Sequence, residues 1–249
     1  MNAKEYLEIC SRSYTGTKVT KNEWDMDYLI DEVRELVEEY SFSWDKEVLI
    51  PQDDRLLEDM LAAAKALILK IGVYNMSTGR IITFTEEEIE QGIKNMKQEL
   101  VMGEGKDAYT LVARGIEDRR EPAVWAGNPG CPTQERMYYA NVLSSAQEPV
   151  VDLLTCGSLV DVDGHTVKSG DPTEVIAVRR ELQYLHKALE AVGRPGMGLL
   201  AAESAVTEMG DLSASYERCL RPCDSHLVAM FNELIIDNGN LIRAARSEE

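Results

Sequence analysis

The sequence predicts an α/β protein: a helical N-terminal region with a small hairpin, followed by part of a (β/α) barrel of the TIM type. In the first part, apolar residues recur at helical spacing. Beyond about residue 120, short apolar runs alternate with helical segments, which is typical of parallel α/β folds. A complete barrel takes about 250 residues, so the second part of this 249-residue chain has room for about four strands. We place the domains at residues 1–118 and 119–249, the second an incomplete barrel.

Composition and charge exclude several classes of protein. The chain has 26 Lys+Arg and 44 Asp+Glu, a net charge of −18, and 44% hydrophobic residues. Nucleic-acid and anionic-membrane surfaces need clustered cations, so neither partner is expected. No apolar window is long enough for a transmembrane helix. The N-terminus lacks the apolar core of a signal peptide, so we expect a cytoplasmic protein whose five cysteines are reduced thiols.

Two long amphipathic helices are predicted in the N-terminal region, over residues 24–40 and 53–70. Asp53 or Asp54 can cap the second helix, and Gly72 lies just past its end. The apolar residues at helical spacing are Leu29, Ile30, Val33, Leu36 and Val37 in the first helix, and Leu56, Leu57, Met60, Leu61, Ala64, Leu67 and Ile68 in the second.

A small hairpin and a third helix follow. Residues 73–75 and 81–84 flank Ser77-Thr78-Gly79, a turn sequence between two short strands. Thr85 and Glu88 form a capping box. The third helix then places Ile89, Ile93, Met96 and Leu100 on its apolar face and ends near Gly103.

The barrel region is predicted from short strands and caps. Strands are expected at residues 123–126, 150–154 and 197–201, with a helix to about Gln147 between the first two. Residues 160–167 resemble a hairpin around an Asp-Gly turn.

A long helix and a shorter one complete this region. Asp171 caps the long helix, with Pro172 at its first position and Glu174 completing a capping box. Its buried face comprises Val175, Val178, Leu182, Leu185 and Leu189, and Gly193 ends it. A further helix is predicted over residues 226–236.

Two motifs resemble ligand-binding sites but do not predict one. The run 103–108 fits G-x-G-x-x-A, but a helix rather than a strand precedes it, so a turn is favoured over a nucleotide site. Cys219 and Cys223 precede His226 at metal-like spacing, but a fourth ligand is not evident and no metal site is predicted.

The strongest candidate site follows the run 193–198, Gly-Arg-Pro-Gly-Met-Gly. A small-residue strand comes next, and Glu203 stands at its carboxyl end, where barrel enzymes place catalytic groups. A carboxylate partly removed from water acquires a raised pKa and can act as a general acid or base. An equally weighted alternative makes Glu203 a solvated cap of the following turn. Gly127-Asn128-Pro129 and Cys156-Gly157-Ser158 would lie at the same end of the barrel.

These motifs together resemble the monomethylamine:corrinoid methyltransferases of methylotrophic methanogens and related anaerobes. The matching stretches run in order along nearly the whole chain. They are Glu23-Trp24-Asp25, Ile50-Pro51-Gln52-Asp53-Asp54, Gly72-Val73-Tyr74, Gly79-Arg80-Ile81, Thr85-Glu86-Glu87-Glu88-Ile89, Gly103-Glu104-Gly105-Lys106-Asp107-Ala108, Gly193-Arg194-Pro195-Gly196-Met197-Gly198, Glu203-Ser204, Asp224-Ser225-His226 and Asn232-Glu233-Leu234.

The resemblance implies a TIM-barrel enzyme that moves a methyl group from methylamine to the cobalt of a corrinoid. The corrinoid is carried by a separate small protein, so no tightly bound cofactor is expected. The family's pyrrolysine, an electrophile for the amine, lies two residues after Gly198, and this position is Leu200 here. Leucine cannot form an amine adduct. We assign Glu203 as the candidate acid or base, and Gly198, Ser204 and Trp125 as substrate-binding candidates.

Three functional hypotheses remain open. The first is an enzyme acting on monomethylamine or on another N-methyl donor, such as a quaternary amine held by a cage from Trp125, Tyr138, Tyr139 and Glu203. The second is a non-catalytic half-barrel homologue that binds a corrinoid protein or a second methyltransferase chain. The third is a fragment without an independent role. Family members are close to twice this length, so we expect a homo-oligomer or a complementary C-terminal half to cover the open barrel.

Overall fold

A computed structural model of the chain describes residues 3–201, 207–217, 219–228 and 231–246. It contains two compact units. The first comprises Met1–Met96 with Ala229–Leu241, and the second comprises Lys97–Val228 with Ile242–Ser247. The strands at residues 99–112 fall in the second unit. No helix in the described ranges has both the length and the hydrophobicity needed to cross a bilayer.

In chain order the elements are α1 (Ala3–Thr15), α2 (Lys21–Glu23), a π-helical segment (Trp24–Ile30), α3 (Asp31–Tyr40), α4 (Asp54–Ile71), β1 (Val73–Asn75), β2 (Arg80–Ile82), α5 (Glu86–Lys94), β3 (Glu99–Met102), a 3₁₀ turn (Gly105–Asp107), β4 (Tyr109–Val112), β5 (Trp125–Ala126), β6 (Pro132–Thr133), α6 (Glu135–Ala146), β7 (Leu153–Thr155), β8 (Ser158–Leu159), β9 (Asp161–Val162), β10 (His165–Thr166), α7 (Pro172–Ala191), β11 (Leu199–Ala201), α8 (Glu208–Ala214), β12 (Ser225–His226), β13 (Ile235–Ile236) and α9 (Asn238–Arg246).

The first unit is built from helices around a short sheet. β1 pairs antiparallel with β2 and parallel with β13. Trp24 is fully buried, stacks on Tyr28 and Tyr74, and donates a hydrogen bond from Nε1 to the Glu233 carbonyl at 3.0 Å. This indole joins the N-terminal helices to the segment that returns late in the chain.

Local capping in this unit matches the sequence predictions. Asp53 accepts hydrogen bonds from the backbone N–H groups of Arg55 and Leu56, and the next helix begins at the Thr85–Glu88 capping box. Gly72 follows α4 with φ +73°, where a Cβ atom would come within 2.3 Å of the Ile82 carbonyl oxygen. Glycine is therefore required both for the turn and for the approach of β2.

The predicted extent of the third helix is wrong. α5 ends at Lys94, and Leu100 lies in β3 opposite Leu111 of β4. Leu100 continues the helical spacing of apolar residues, but its pairing with a distant strand outweighs that local pattern.

The second unit contains four parallel strands in the spatial order β12-β11-β7-β5. The helices α6, α7 and α8 connect consecutive strands. One side of the sheet packs on these helices through Leu154, Leu199 and Ala201, against Leu182 and Leu185 of α7. The expected partial (β/α) barrel is confirmed in this arrangement, with the fourth strand, β12, at a place where the sequence did not predict one.

Two other local predictions in this region are wrong. The helix predicted over residues 226–236 is absent from the described part of this range, in which His226 ends β12 and Ile235–Ile236 form β13, each strand pairing with a distant one. Glu174 does not complete a capping box with Asp171. Its buried carboxylate accepts hydrogen bonds from Thr207 Oγ1 and from the N–H groups of Gly170 and Gly210, so it links α7 to the start of α8.

Candidate functional site

The candidate site lies at the carboxyl ends of the four parallel strands. All four strands run the same way, so the segments that follow them meet at one edge of the sheet. Gly127 and Asn128 follow β5, and Cys156 and Gly157 follow β7. Glu203 and Ser204, the predicted acid or base and a predicted substrate contact, lie outside the described residues, just after β11.

Leu200 lies on the side of the sheet that faces away from α7. Its register partners are Thr155 on β7 and Ser225 on β12. Leu200 is buried in an apolar cluster with Met102 and Leu153. Its neighbours in sequence, on the opposite side of the sheet, belong to the core formed with the helices. We call the Leu200 side the inner face of the sheet.

The inner face also holds a buried polar atom that the sequence analysis missed. Thr155 is 5% exposed, and its hydroxyl oxygen is buried without a hydrogen-bond partner among the described residues. A buried hydroxyl without a partner costs free energy, and such atoms are found where a ligand or water completes the bonding. Its position directly after a predicted strand and directly before Cys156-Gly157-Ser158 was the available signal in the sequence.

Gly127 allows β5 to approach β7 at this point. It has φ +136°, and a Cβ atom there would lie 2.3 Å from the Thr155 carbonyl oxygen and 2.7 Å from the Thr155 methyl carbon. Any larger residue would push the two strand ends apart. The glycine after β5 therefore fixes the position of Thr155 relative to the neighbouring strand.

Trp125 is a predicted substrate contact that is accessible in the structure. It pairs in register with Leu153, which places it on the inner face, and it is 48% exposed. An accessible indole on this face can bind an ammonium group through its π face.

The proposed aromatic cage does not assemble around Trp125. Tyr138 and Tyr139 belong to the core on the helix side of the sheet. The Tyr138 hydroxyl accepts a hydrogen bond from the Gly157 N–H at 2.9 Å, and burial raises the pKa of this tyrosine. Tyr139 lies under the Lys187 ammonium, 4.5 Å from its ring centre. Both rings therefore stabilise α6 and its neighbours.

Gly198 allows close packing at the amino end of β11. A Cβ atom at this position would lie 2.8 Å from the Gly103 nitrogen and 2.9 Å from the Met102 Cβ. Glu104 donates its N–H to the Gly196 carbonyl at 2.8 Å, and Gly196 donates its N–H to Asp107 at 3.1 Å. Two motifs that carry the family resemblance are therefore in direct contact, far apart in sequence.

Asp224, which belongs to a third motif of the family resemblance, contacts the segment that contains the 193–198 motif and the start of β11. This buried carboxylate accepts the Leu199 N–H at 2.9 Å and forms an ion pair with Arg221. The Arg221 guanidinium also donates to the carbonyls of Pro195 and Met197, at 2.7 and 2.5 Å. These bonds fix the start of β11, and through it the position of Leu200 on the inner face.

The surroundings of the two cysteines considered as metal ligands do not suit metal binding. Cys219 is buried in the core on the helix side, and burial raises the pKa of its thiol. Burial likewise raises the pKa of the Cys223 thiol. A metal ligand must be a thiolate, which these shifts disfavour. Within the described ranges, no three His, Cys, Asp or Glu side chains are grouped so that they could hold a metal ion.

The comparison with known proteins identifies the family. The model of the family "Monomethylamine methyltransferase MtmB" matches residues 5–249. The chain belongs to this MtmB family. The resemblance found in the sequence is thereby confirmed, and with it the relation to methylamine methyltransferases.

Several relatives and solved structures support this membership. Monomethylamine methyltransferase MtmB of Methanosarcina mazei is 32% identical over 230 residues, which is 92% of this chain and 50% of the relative. MtmB1 of Methanosarcina barkeri strain Fusaro is 33% identical over the same share of each chain. The crystal structure of the M. barkeri enzyme superposes with a TM-score of 0.89 at 31% identity, covering 98% of this chain and 53% of that one. A hydroxylamine complex of MtmB matches equally well. This MtmB homologue thus spans about half the length of the relatives that it matches.

Proposed function

We propose that this chain forms the amine-binding half of a corrinoid-dependent methyltransferase. In this reaction a methyl group moves from a methylated amine to the cobalt of a corrinoid, which a separate small protein presents as the methyl acceptor. The chain itself would hold no tightly bound cofactor and would act in the cytoplasm. The observation that carries the proposal is the superposition of 98% of the chain on a monomethylamine methyltransferase, with a TM-score of 0.89.

The inner face supplies binding groups for a small amine. Trp125 offers an accessible π face to a cation, including a quaternary amine, and Thr155 offers a buried hydroxyl that can hydrogen-bond an amine with an N–H group. Gly198, directly before β11, and Glu203 and Ser204, which follow β11 in the sequence, remain candidates. Glu203 would act as the acid or base and Ser204 would border the substrate, whereas Gly198, at the amino end of β11, would act by holding the start of that strand in place.

Leu200 determines which donors are chemically reasonable. It stands at the position that the family resemblance assigns to pyrrolysine, and it is 7% exposed within an apolar cluster. An apolar side chain cannot form a covalent adduct that activates a neutral amine. The donor must therefore carry its own activation, and a quaternary amine does so because its nitrogen leaves as a neutral group when the methyl–nitrogen bond breaks.

Leu200 and the open edges of the four-stranded sheet also favour a second, non-catalytic function. Within the described residues, β5 and β12 each pair on one side only, so both edges of the four-stranded sheet are open. Open edges bind further strands. The chain would then be a non-catalytic half-barrel subunit that binds a corrinoid protein or a complementary methyltransferase half. Self-association would serve the same purpose of covering apolar surface.

A methyl-transfer assay separates the two functions. The purified chain is mixed with cob(I)alamin and, in separate reactions, with methylamine, dimethylamine, trimethylamine or a quaternary amine, and formation of the methyl–cobalt bond is followed by absorbance. Transfer from the quaternary amine is the expected result. The assay is run with the chain alone and with a separately expressed C-terminal half of an MtmB relative. A folded chain that transfers no methyl group from any donor in either assay would contradict the enzymatic proposal.

A further inference from the structure

A narrow cleft opens at the carboxyl ends of β5 and β7, on the side of the sheet that carries the helices. Its walls come from the loop after β5, from β6, from α6 and from Gly157 after β7. Tyr138 and Val142, on one side of α6, are its most deeply buried lining residues and belong to the core between the sheet and the helices. The cleft therefore lies on the opposite side of the sheet from Leu200 and Trp125.

The size of the cleft limits what it can hold. The whole cleft, up to its opening to solvent, measures about 220 Å³. Its enclosed end has room for a single water-sized group, such as a carbonyl oxygen or an amino group. A small molecule can therefore place one polar atom at the inner end while the rest of it lies near the opening.

Two side-chain amides line the cleft without a partner. Asn128 follows β5, and Asn141 lies on α6. The backbone carbonyls of both residues accept hydrogen bonds, but within the described part of the chain neither side-chain amide forms one. Each amide offers both donors and an acceptor. Two such groups at one opening suit a ligand that can itself donate and accept.

The buried Tyr138 hydroxyl supplies a further donor. Its oxygen accepts the Gly157 N–H at 2.9 Å, whereas its own proton is directed to the Gly157 carbonyl at 3.5 Å, the long limit of a hydrogen bond. Burial raises the pKa of this tyrosine, so the proton is retained. A ligand oxygen at the inner end of the cleft can accept this proton at a shorter distance.

The charge of the lining indicates which class of ligand fits. In the part of the chain that the structure describes, no charged side chain lines the cleft. An ammonium or a carboxylate would lose hydration there without gaining a counter-charge. An uncharged amide can instead pair with an asparagine side chain through two parallel hydrogen bonds, as asparagine does with the edge of adenine. The lining therefore favours a neutral amide over an ion of the same shape.

We propose that this cleft is a binding site for a small, uncharged primary amide. The carbonyl oxygen of the ligand accepts from the Tyr138 hydroxyl and from one asparagine, and its NH₂ group donates to the other asparagine. The bound amide links the loop after β5 to α6 and to the segment after β7. This site is separate from the amine-binding groups of the inner face, so it is occupied whether or not the chain transfers methyl groups.

The first test compares three molecules that share one shape and differ in charge: acetamide, acetate and acetamidinium. Binding to the full chain is measured by saturation-transfer NMR on the methyl group of each molecule, at constant ionic strength. Acetamide should bind with a Kd in the millimolar range, as expected for so small a ligand. Both ions should bind at least about 10-fold more weakly. Equal binding of all three molecules, or no binding of acetamide, would overturn the proposal.

A variant that fills the cleft locates the binding. Gly157→Ala should weaken acetamide binding by at least about 10-fold, because the cleft has no room for a further methyl group. The added carbon would lie 3.2 Å from the Asn128 carbonyl oxygen and 3.4 Å from the Tyr138 ring. Gly115→Ala is the matched control. Its added carbon meets no atom within 4 Å, so binding should be unchanged.

A second variant removes one of the two amides. Asn141→Leu keeps the approximate size of the side chain and should weaken acetamide binding by about 5- to 10-fold, the loss of one hydrogen bond. Circular dichroism and a thermal transition confirm that each variant is folded. Acetamide binding that stays unchanged in both Gly157→Ala and Asn141→Leu would place the amide elsewhere on the chain and overturn the proposal. No readout depends on a methyl donor, so failure of methyl transfer leaves this test intact.

Discussion

Leu200 and Thr155 occupy paired register positions on neighbouring parallel strands, β11 and β7, but their side chains have opposite surroundings. Leu200 is packed in an apolar cluster with Met102 and Leu153. The Thr155 hydroxyl is buried without a hydrogen-bond partner among the described residues. This pair therefore combines an inert position at the centre of the inner face with an unsatisfied polar atom beside it.

Thr155→Val should leave the fold intact and weaken amine binding. The variant removes a hydroxyl that makes no hydrogen bond here, so the free energy of unfolding should stay the same or rise by up to about 1 kcal/mol. Titration with methylammonium chloride, followed by NMR, should show weaker binding than in the wild type. Thr155→Ser keeps the hydroxyl and serves as the control. A clear loss of stability in urea denaturation would show that the hydroxyl has a structural partner.

Glu203→Gln should abolish methyl transfer while leaving assembly unchanged. The amide keeps the size of the side chain but cannot exchange a proton as an acid or base. The measurement is the rate of methyl–cobalt formation with the best donor, compared with sedimentation of the same variant. Unchanged turnover would remove Glu203 from the mechanism and favour its role as a cap.

Gly127→Ala should destabilise the second unit by at least about 2 kcal/mol, because the new methyl group would overlap the Thr155 carbonyl and the backbone has a positive φ. Gly130→Ala is the matched control. It also has a positive φ, +69°, but has no atom within 4 Å of the added carbon. Its cost should be about 1 kcal/mol, from the backbone alone. Equal urea midpoints for the two variants would contradict the close approach of β5 and β7.

Acid should destabilise the first unit partly through Glu88. The hydrogen bond from Arg12 holds the pKa of this carboxyl below its ordinary value. A lowered pKa in the folded state stabilises the protein at pH above the ordinary value of about 4.3, and the stabilisation is lost as the pH falls through the folded-state pKa. Glu88→Gln should therefore reduce the difference between urea midpoints at neutral and acidic pH.

The control for this experiment is Glu87→Gln, which changes an exposed carboxylate in the same helical turn. It should leave the pH dependence close to that of the wild type. An identical effect of the two substitutions would mean that the ion pair with Arg12 contributes nothing specific.

The sequence was sufficient to predict helix starts and tight turns, because local interactions decide them. Asp53, Thr85 and Glu88 start their helices as predicted, and the Asp163-Gly164 turn joins β9 to β10 with positive φ at both residues. Caps and tight turns are decided by residues within four positions of each other, so their chemistry can be read directly from the chain. The alternation of strands and helices likewise predicted a parallel α/β architecture.

Only the tertiary structure decided which distant segments meet. Leu100 continued a helical pattern yet became a strand residue opposite Leu111, and the segment predicted as a helix from His226 to Ile236 contributes strand residues at its two ends. The buried hydroxyl of Thr155 and the contact between Gly198 and Gly103 also depend on pairing across long separations. The sequence by itself thus determined the caps, turns and fold class, because these follow from neighbouring residues. The inner face required the folded chain, because burial depends on which residues pack together in space.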